Sequence, residues 1–504
     1  LAGSGIRPTK QRSDPRSFAE VLNPTKSGEM SFPIVDFETP QLHKVSRLTI
    51  FGATGDVTTR LFLPAIGRLI AKELLSHHFP ILAIGRKPWS TEEYHHHVKD
   101  RFKSLGIELE GQQLEQMLSQ IEYRQVDDFS NPHKLQQALG HSSSPFIAYL
   151  ALPPSMFSIV LDAFAHISIP HYSRIIFEKP FGEDVISARE LNRLVHTIFP
   201  EPTVFRIDHF LGKQTVRNIF GLRFANRIFE PIWNHQHIQR IEIIWNETLG
   251  LEGRAGYYDS AGALKDMIQN HLLQLLCLIG MEPPISLQDR DFRDRKVDLL
   301  RAVRRLTPDE VRRQTSRARY GAGTLRDQQI RAYTDEEGVD PARETETYAE
   351  ITLSIDNWRW AGVPIMLRSG KAFPEERHEV AIYFKDVPHL AFGEASGLRP
   401  NVLRLKFKPD GMGLSLNLNG AGDPFHLDST EFHMPFASQD LSPYGHLFLD
   451  VMEGDPTLFI RSDEVEELWR IIEPIKHGWE NGLVPLLSYP AGTSGPSAVS
   501  DSSL

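Results

Sequence analysis

At 504 residues, with 40% hydrophobic and 24% charged residues, the chain has an ordinary globular composition and is long enough for two or three domains. Its net charge of -10 gives no support to a polyanion-binding surface, so any phosphate site has to be a local basic pocket. A single cysteine, Cys277, excludes an intrachain disulfide, and no apolar run approaches the roughly 18 to 20 residues of a membrane span.

Residues 1–46 are rich in Pro, Ser, Lys and Arg with little apolar period, and are expected to form a flexible arm. The arginines suit a transit peptide, but Asp14, Glu20 and Glu29 argue against one. From Ser46 the texture changes. Leu48-Thr-Ile-Phe51 reads as a short buried strand, followed by Gly52-Ala-Thr-Gly55-Asp56 and a stretch with Leu61, Ala65 and Leu69 at helical spacing. Strands are also predicted at Pro80–Gly85, Phe146–Ala151 and Arg174–Phe177, each separated by helical material. Such alternation predicts a parallel sheet covered on both faces, assigned to residues 47–205.

Beyond about residue 230 the apolar period becomes two, at Ala349–Ile355, Val380–Phe384, Leu403–Phe407 and Met412–Leu418. This pattern predicts a mainly antiparallel sheet in a second, α+β domain, assigned to 206–490. Helices are expected at 259–280 and 463–477, the latter capped by Ser462. Residues 491–504 read as a small polar tail.

Several segments can carry chemistry. Gly52-Ala-Thr-Gly55 lies between a strand and a helix, where glycines let a pyrophosphate approach the backbone and a helix N-terminus favours its charge. The next strand ends in Gly85-Arg86-Lys87; two cations, with no acid evident, suit the 2′-phosphate of NADP. Lys179, in Phe177-Glu-Lys-Pro-Phe-Gly182, sits at the carboxyl end of a strand, where open α/β sheets bind ligands. A P-loop is excluded because neither Gly212-Lys213 nor Gly370-Lys371 has the required flanking residues.

Arg206-Ile-Asp-His-Phe-Leu-Gly-Lys213 brings a carboxylate, an imidazole and an ammonium together. If it turns helical, His209 and Lys213 can meet one anion, leaving Asp208 to orient a second imidazole. His271 is the candidate, in a helix where Asp266 and Asn270 share a face and His271 is the next residue round. A lone His among leucines is more often a core residue; the Asp208 segment and Glu247 strengthen the functional reading. His95, His96 and His97 point about 100° apart on a helix and lack a ligand pattern, so no metal is expected there.

The 206–213 segment agrees at eight consecutive positions with the signature R-I-D-H-[YF]-L-G-K, and the chain resembles glucose-6-phosphate dehydrogenases from Leu48 to about residue 490. Glu178-Lys-Pro-Phe-Gly182, Tyr149-Leu-Ala-Leu-Pro-Pro154, Gly253-Arg-Ala-Gly-Tyr257, Asp356-Asn-Trp-Arg-Trp-Ala-Gly-Val-Pro364 and Leu367-Arg-Ser-Gly-Lys371 extend the likeness. The resemblance implies an α/β Rossmann-type dinucleotide-binding domain followed by a large α+β domain with a mainly antiparallel sheet, which makes the dimer interface. It implies NADP contacts from Gly52, Thr54, Gly55, Asp56, Arg86, Tyr149 and Lys179. Sugar phosphate would meet His209 and Lys213, and sugar hydroxyls Glu247, Asp266 and Lys371, with Lys179 also near the substrate. His271 would be the general base, oriented by Asp208. The implied activity is NADP-dependent oxidation of glucose 6-phosphate to 6-phosphogluconolactone, the first step of the oxidative pentose phosphate pathway. A cytoplasmic homodimer or homotetramer, with no metal, membrane or nucleic-acid partner, is expected.

Three departures stand out. Leu61 replaces a Lys, Gln214 a Glu, and Glu376 a Lys or Arg found in many members. They bear on substrate identity and affinity. Two other readings are a related sugar or sugar-phosphate dehydrogenase of the same fold and a non-catalytic NADP-binding paralogue.

Overall fold

A computed structural model describes residues 45–496, except 110, 141–142, 252–254, 393–397, 421–425 and 438. The N-terminal arm thus lies outside the described residues, apart from its last two. Val45 is buried, and the Ser46 N–H donates to the Pro145 carbonyl at 2.7 Å, so these two pack on the first sheet instead of belonging to an arm.

The first sheet is built from β1 (Leu48–Phe51), β2 (Ile81–Gly85), β3 (Ile121–Gln125), β4 (Ile147–Leu150), β5 (Arg174–Phe177) and β6 (Val204–Arg206). All pairs are parallel, in the order β3-β2-β1-β4-β5-β6. β1, β2, β4 and β5 are buried on both faces, which explains their continuous apolar runs. The chain winds outward from β1 in one direction and from β4 in the other. A crevice opens at the carboxyl ends where that reversal falls, which is where ligands bind such sheets.

The remaining strands are β7 (Ile238–Asn246), β8 (Thr315–Gly321), the small hairpin β9 (Gly323–Leu325) and β10 (Gln328–Ile330), β11 (Tyr348–Leu353), β12 (Ile365–Gly370), β13 (Arg377–Phe384), β14 (Val402–Phe407), β15 (Asp410–Asn419), β16 (Leu427–Pro435) and β17 (Leu486–Pro490). Nine of them form one sheet, β16-β15-β14-β13-β7-β12-β11-β8-β17. Its pairs are antiparallel except β7 with β12 and β8 with β17. The sheet is therefore mixed and mostly antiparallel, and alternating burial along β11 and β14 matches the period-two pattern. One continuous apolar core joins Phe51, Leu82 and Phe177 of the first sheet to Ile241, Ile351 and Leu403 of the second, through the buried helix Leu273–Gly280.

Three expectations are corrected. The 259–280 helix is not continuous α-helix: it breaks at Gly262 (φ 68°, ψ 174°), runs as a π-helix over Leu264–Leu272, and becomes α-helical at Leu273. Gly262 is needed there, because a Cβ would lie 2.3 Å from Glu346 Oε1. The last long helix spans Ser462–Glu480, with Ser462 inside it; the Glu464 carboxylate accepts from the Arg461 N–H at 3.2 Å and closes the N-terminus. The tail begins as packed chain. Ala491 is buried, and Gly492 N–H donates to the Ala372 carbonyl at 2.8 Å.

Candidate active site

The crevice of the first sheet is lined by the turns that leave the carboxyl ends of its strands. After β1 the chain turns through Gly52 at φ 83°, pressed against the end of β4: a Cβ would lie 2.2 Å from Ala151 O. Only glycine fits, and the turn leads through Thr54 and Gly55 into a π-turn (Thr58–Phe62) and the helix Leu63–Ala71. This is the backbone cradle that a dinucleotide pyrophosphate requires. The Asp56 carboxylate faces outward, bonded to Arg60 Nε (2.8 Å) and Arg101 (3.1 Å). Arg86 and Lys87 project exposed from the end of β2. The Tyr149 ring is fully buried, and its hydroxyl donates to Glu178 at 2.7 Å. The whole residue, main chain included, is 0% exposed between β1 and β5, so Tyr149 offers a cofactor no open surface in this arrangement.

Asp208 follows β6, and its residue types explain the local path. Its Oδ1 accepts from the Phe210 N–H at 2.9 Å, starting the short 3₁₀ turn His209–Gly212. Lys213 then returns to extended backbone before the helix Gln214–Phe224, so the segment is a single turn and not a continuing helix. Arg206, first of the motif, is a buried brace paired with Glu201 at 2.8 Å and Asn192 at 2.9 Å.

The turn delivers Asp208 to His271: Nδ1 and Oδ1 are 2.5 Å apart, both groups about 1% exposed. Burial alone would raise the Asp208 carboxyl. The charge of His271 and the bond between them outweigh it and hold Asp208 below the usual carboxylate range. An ionised carboxylate only accepts, so Nδ1 carries the hydrogen and the Nε2 lone pair is free to accept. The Lys179 ammonium occupies that lone pair at 2.7 Å and also donates to Asp266 O (2.8 Å) and Oδ1 (3.1 Å). The π-helix makes this convergence possible. An i→i+5 turn stacks Asp266 over His271, where an α-helix would have aligned Asp266 with Asn270 as the sequence suggested.

Burial lowers the His271 pKa while Asp208 opposes it, leaving a neutral imidazole around neutral pH. For Asp266, burial acts upward, but Lys179 and His271 win and hold it low. Asp208, His209 and His271 have ligand atoms within 4.8 Å of one another. A metal there would compete with the Lys179 ammonium for Nε2 and with the hydrogen on Nδ1.

A row of rings extends from His271. His271 stacks on Phe210 (3.9 Å, 8°), Phe210 leans on Trp245 (4.3 Å), and Trp245 stacks on His378 (4.1 Å, 7°). His209 packs edgewise on Phe210 at 5.0 Å, and Lys213 Nζ lies 4.9 Å from both the Phe210 and Trp245 rings. Both predicted phosphate ligands therefore border one patch. No carboxylate among the described residues makes an ion pair with Lys213. Burial depresses the pKa of both, with the His271 charge adding to the effect on His209 and the Asp410 carboxylate opposing it at Lys213. An incoming anion would reverse that loss.

Glu247 and Lys371 meet because β7 and β12 are parallel neighbours with Asn246 opposite Gly370. The next residue of each strand leaves the sheet on the same side, and Lys371 Nζ reaches Glu247 Oε2 at 2.5 Å. Of the sequence-predicted site residues, Lys179, Asp208, His209, Lys213, Asp266 and His271 form one linked cluster. Glu247 and Lys371 form a pair coupled to it through Asp266 and His378. Sequence reasoning missed Phe210 as a platform, Trp245, His378, and Glu178, whose buried carboxyl is raised by desolvation and bridges the Tyr149 and Tyr444 hydroxyls. Glu178 and Phe210 were within motifs already singled out; Trp245 and His378 needed the strand register that pairs them. The three adjacent histidines do diverge, His95 bonding the Ile121 carbonyl and His96 that of Glu92.

A doubly wound sheet with a glycine cradle at its reversal, beside a carboxylate-oriented imidazole, defines a dehydrogenase that uses a nicotinamide dinucleotide. Residues 49–218 match the profile of the glucose-6-phosphate dehydrogenase NAD binding domain, and residues 220–503 that of the C-terminal domain. The chain is 38% identical over 479 residues to glucose-6-phosphate 1-dehydrogenase of Treponema pallidum (strain Nichols), covering 90% of this chain and 92% of that one. It is 37% identical over 478 residues to the Bacillus subtilis (strain 168) enzyme, covering 90% and 96%. Two solved structures superpose with a TM-score of 0.81, each covering 90% of this chain and 96% of the other. One is glucose-6-phosphate 1-dehydrogenase from Mycobacterium avium at 33% identity, the other a glucose-6-phosphate dehydrogenase in complex with its substrate glucose-6-phosphate at 30%. The chain belongs to the glucose-6-phosphate dehydrogenase family.

Proposed function

We propose that this chain oxidises D-glucose 6-phosphate to 6-phospho-D-glucono-1,5-lactone with NADP, using His271 as general base. The observation that carries the reading is the pair of contacts on the His271 ring, Nδ1 to the Asp208 carboxylate and Nε2 to the Lys179 ammonium: a carboxylate can only accept and an ammonium only donate, which puts the hydrogen on Nδ1 and leaves the Nε2 lone pair to accept. A sugar anomeric hydroxyl that takes the place of the ammonium can lose its proton to Nε2. Asp208 then stabilises the imidazolium without taking the proton. Its second oxygen has no hydrogen-bond partner among the described residues, so it is available to a developing positive charge.

The cradle fits a dinucleotide: Gly52, Thr54 and Gly55 would hold the pyrophosphate on the backbone, Asp56 would stay paired with the arginines that fix the turn, and Arg86 would meet a 2′-phosphate. Lys179 would contribute through its ammonium, and Tyr149, buried, would act by holding Glu178 through its hydroxyl. A bound nicotinamide supplies the hydride acceptor. His209 and Lys213 would hold the sugar phosphate; Glu247, Asp266 and Lys371 would bond the ring hydroxyls. A homodimer or homotetramer in the cytoplasm is part of the same proposal. Its structural support is the outer strand β16 and its neighbour, where Phe432, Met434 and Leu418 remain 41 to 51% exposed. The intact Asp208–His271 pair speaks against a non-catalytic paralogue.

The test is growth of reduced-nicotinamide absorbance when purified protein is given glucose 6-phosphate and NADP. Absence of growth with this sugar, together with growth on another sugar or sugar phosphate, would move the reading to a related dehydrogenase.

A further inference from the structure

The π-helix that carries Asp266 and His271 does not start by itself. The break at Gly262 (φ 68°, ψ 174°) cuts it from the preceding turns, so its first N–H groups need acceptors from elsewhere. One residue serves two of them. The Glu346 carbonyl accepts from the Ala263 N–H at 3.2 Å, and its side-chain Oε1 accepts from the Leu264 N–H at 2.9 Å. The carboxyl fills the space beside Gly262, where an added Cβ would lie 2.3 Å from Oε1 and 2.7 Å from Oε2. Break and cap are thus fitted to each other, and Glu346 is buried.

Glu346 is itself anchored. It stands two residues before β11, and the next residue, Thr347, is fully buried. The Thr347 N–H donates to Ala318 O at 2.9 Å, and its Oγ1 accepts from the Tyr320 N–H at 2.9 Å, both on β8. On the other side the Thr347 carbonyl accepts from the Lys371 N–H at 3.0 Å. Two consecutive residues therefore join the start of the π-helix to Lys371 of the Glu247–Lys371 pair. Asp266 comes two residues after the capped Leu264, and His271 follows one π-turn later. The register of both is counted from that cap.

We infer that Glu346 is a positioning residue for the reaction: its side-chain oxygen fixes the first turn of the π-helix, and with it the placing of Asp266 and His271 against Lys179 and Lys371. This rests on His271 being the base, as proposed above. The role calls for an acceptor at the reach of a Glu side chain, which a carboxyl, a carboxylate and an amide all provide. A thioether or a shorter side chain does not, and leaves a buried N–H unpaired where the register of the helix is set.

Steady-state kinetics, with NADP titrations and melting temperatures on the same preparations, test the inference. Glu346→Met should lower kcat with glucose 6-phosphate by roughly 10- to 100-fold, the scale of a misplacement of about 1 Å near the chemistry, and leave the NADP dissociation constant within about twofold. Glu346→Asp, which keeps the charge and loses the reach, should lower kcat as well, and decides the matter should Glu346→Met fail to fold. Glu346→Gln should keep kcat within about twofold of wild type, because the amide oxygen takes the Leu264 N–H. Thr315→Val removes buried bonds to Val311 and the Trp479 indole; it should lower the melting temperature without lowering kcat, which separates position from stability. Wild-type kcat in Glu346→Met or Glu346→Asp would overturn the inference alone, as would an equal loss in Glu346→Gln or Thr315→Val. A His271→Asn protein that keeps its turnover would bring down the base, and this inference with it.

Discussion

Replacing Asp208 by Asn should lower turnover by more than the loss of one hydrogen bond implies. The carboxylate fixes which nitrogen of His271 carries the hydrogen, through a 2.5 Å contact to Nδ1. An amide can turn its NH2 toward Nδ1, which moves the hydrogen to Nε2. The base is then in the wrong tautomer, and its N–H faces the Lys179 ammonium, now 2.7 Å away. Loss of a positioned proton acceptor amounts to about 100- to 10,000-fold in rate. At about 1.36 kcal/mol per decade, that is roughly 3 to 5 kcal/mol of transition-state stabilisation. The pH profile gives a second readout. Burial pushes the His271 pKa down and Asp208 pushes it up. Without the carboxylate, protonation needs a lower pH, so the acid limb of any residual kcat/KM should shift downward. Steady-state reduction of NADP from mildly acidic to mildly alkaline pH measures both. Turnover above half of wild type with an unmoved acid limb would refute the orienting role.

Lys213→Ala should raise the KM for glucose 6-phosphate by about 10- to 150-fold, the worth of a charge-assisted bond, and change the poor use of free glucose little. Arg86→Ala should weaken NADP much more than NAD in a fluorescence titration; equal losses would remove the 2′-phosphate from the argument. Glu346 lies under the start of the π-helix, accepting from the Leu264 N–H at 2.9 Å, and burial raises its pKa to about 7. A carboxyl raised on folding contributes stability fully below its unfolded pKa and loses it as pH rises through the folded value. Glu346→Gln, which never ionises, should therefore gain Tm relative to wild type between about pH 5 and about pH 8.

Much of this was legible in the residues alone. Continuous apolar runs marked β1, β2, β4 and β5 because buried parallel strands have no wet face. β3 and β6 were missed: β3 carries Glu122 and Arg124 on an exposed edge, and β6 is three residues long. The helix expected at 259–280 was misjudged in its geometry, since helical apolar spacing does not distinguish an α-turn from a π-turn over nine residues. That error concealed why Asp266 and His271 both reach Lys179. The Glu247–Lys371 and Glu376–Lys408 pairs were invisible for another reason. Their partners are 124 and 32 positions apart, and only strand register brings them together. Residues that act within one turn, such as Asp208 through Lys213, could be read from spacing; pairs made across strands could not.

The most direct test of the account is His271→Asn, assayed for turnover and for ligand binding on the same preparation. Loss of the base should lower turnover by about 100- to 10,000-fold. Dissociation constants for NADP and glucose 6-phosphate should stay close to wild type, because the cradle, His209 and Lys213 are untouched. A His271→Asn protein that keeps more than half the wild-type turnover would contradict the assignment of His271 as the base.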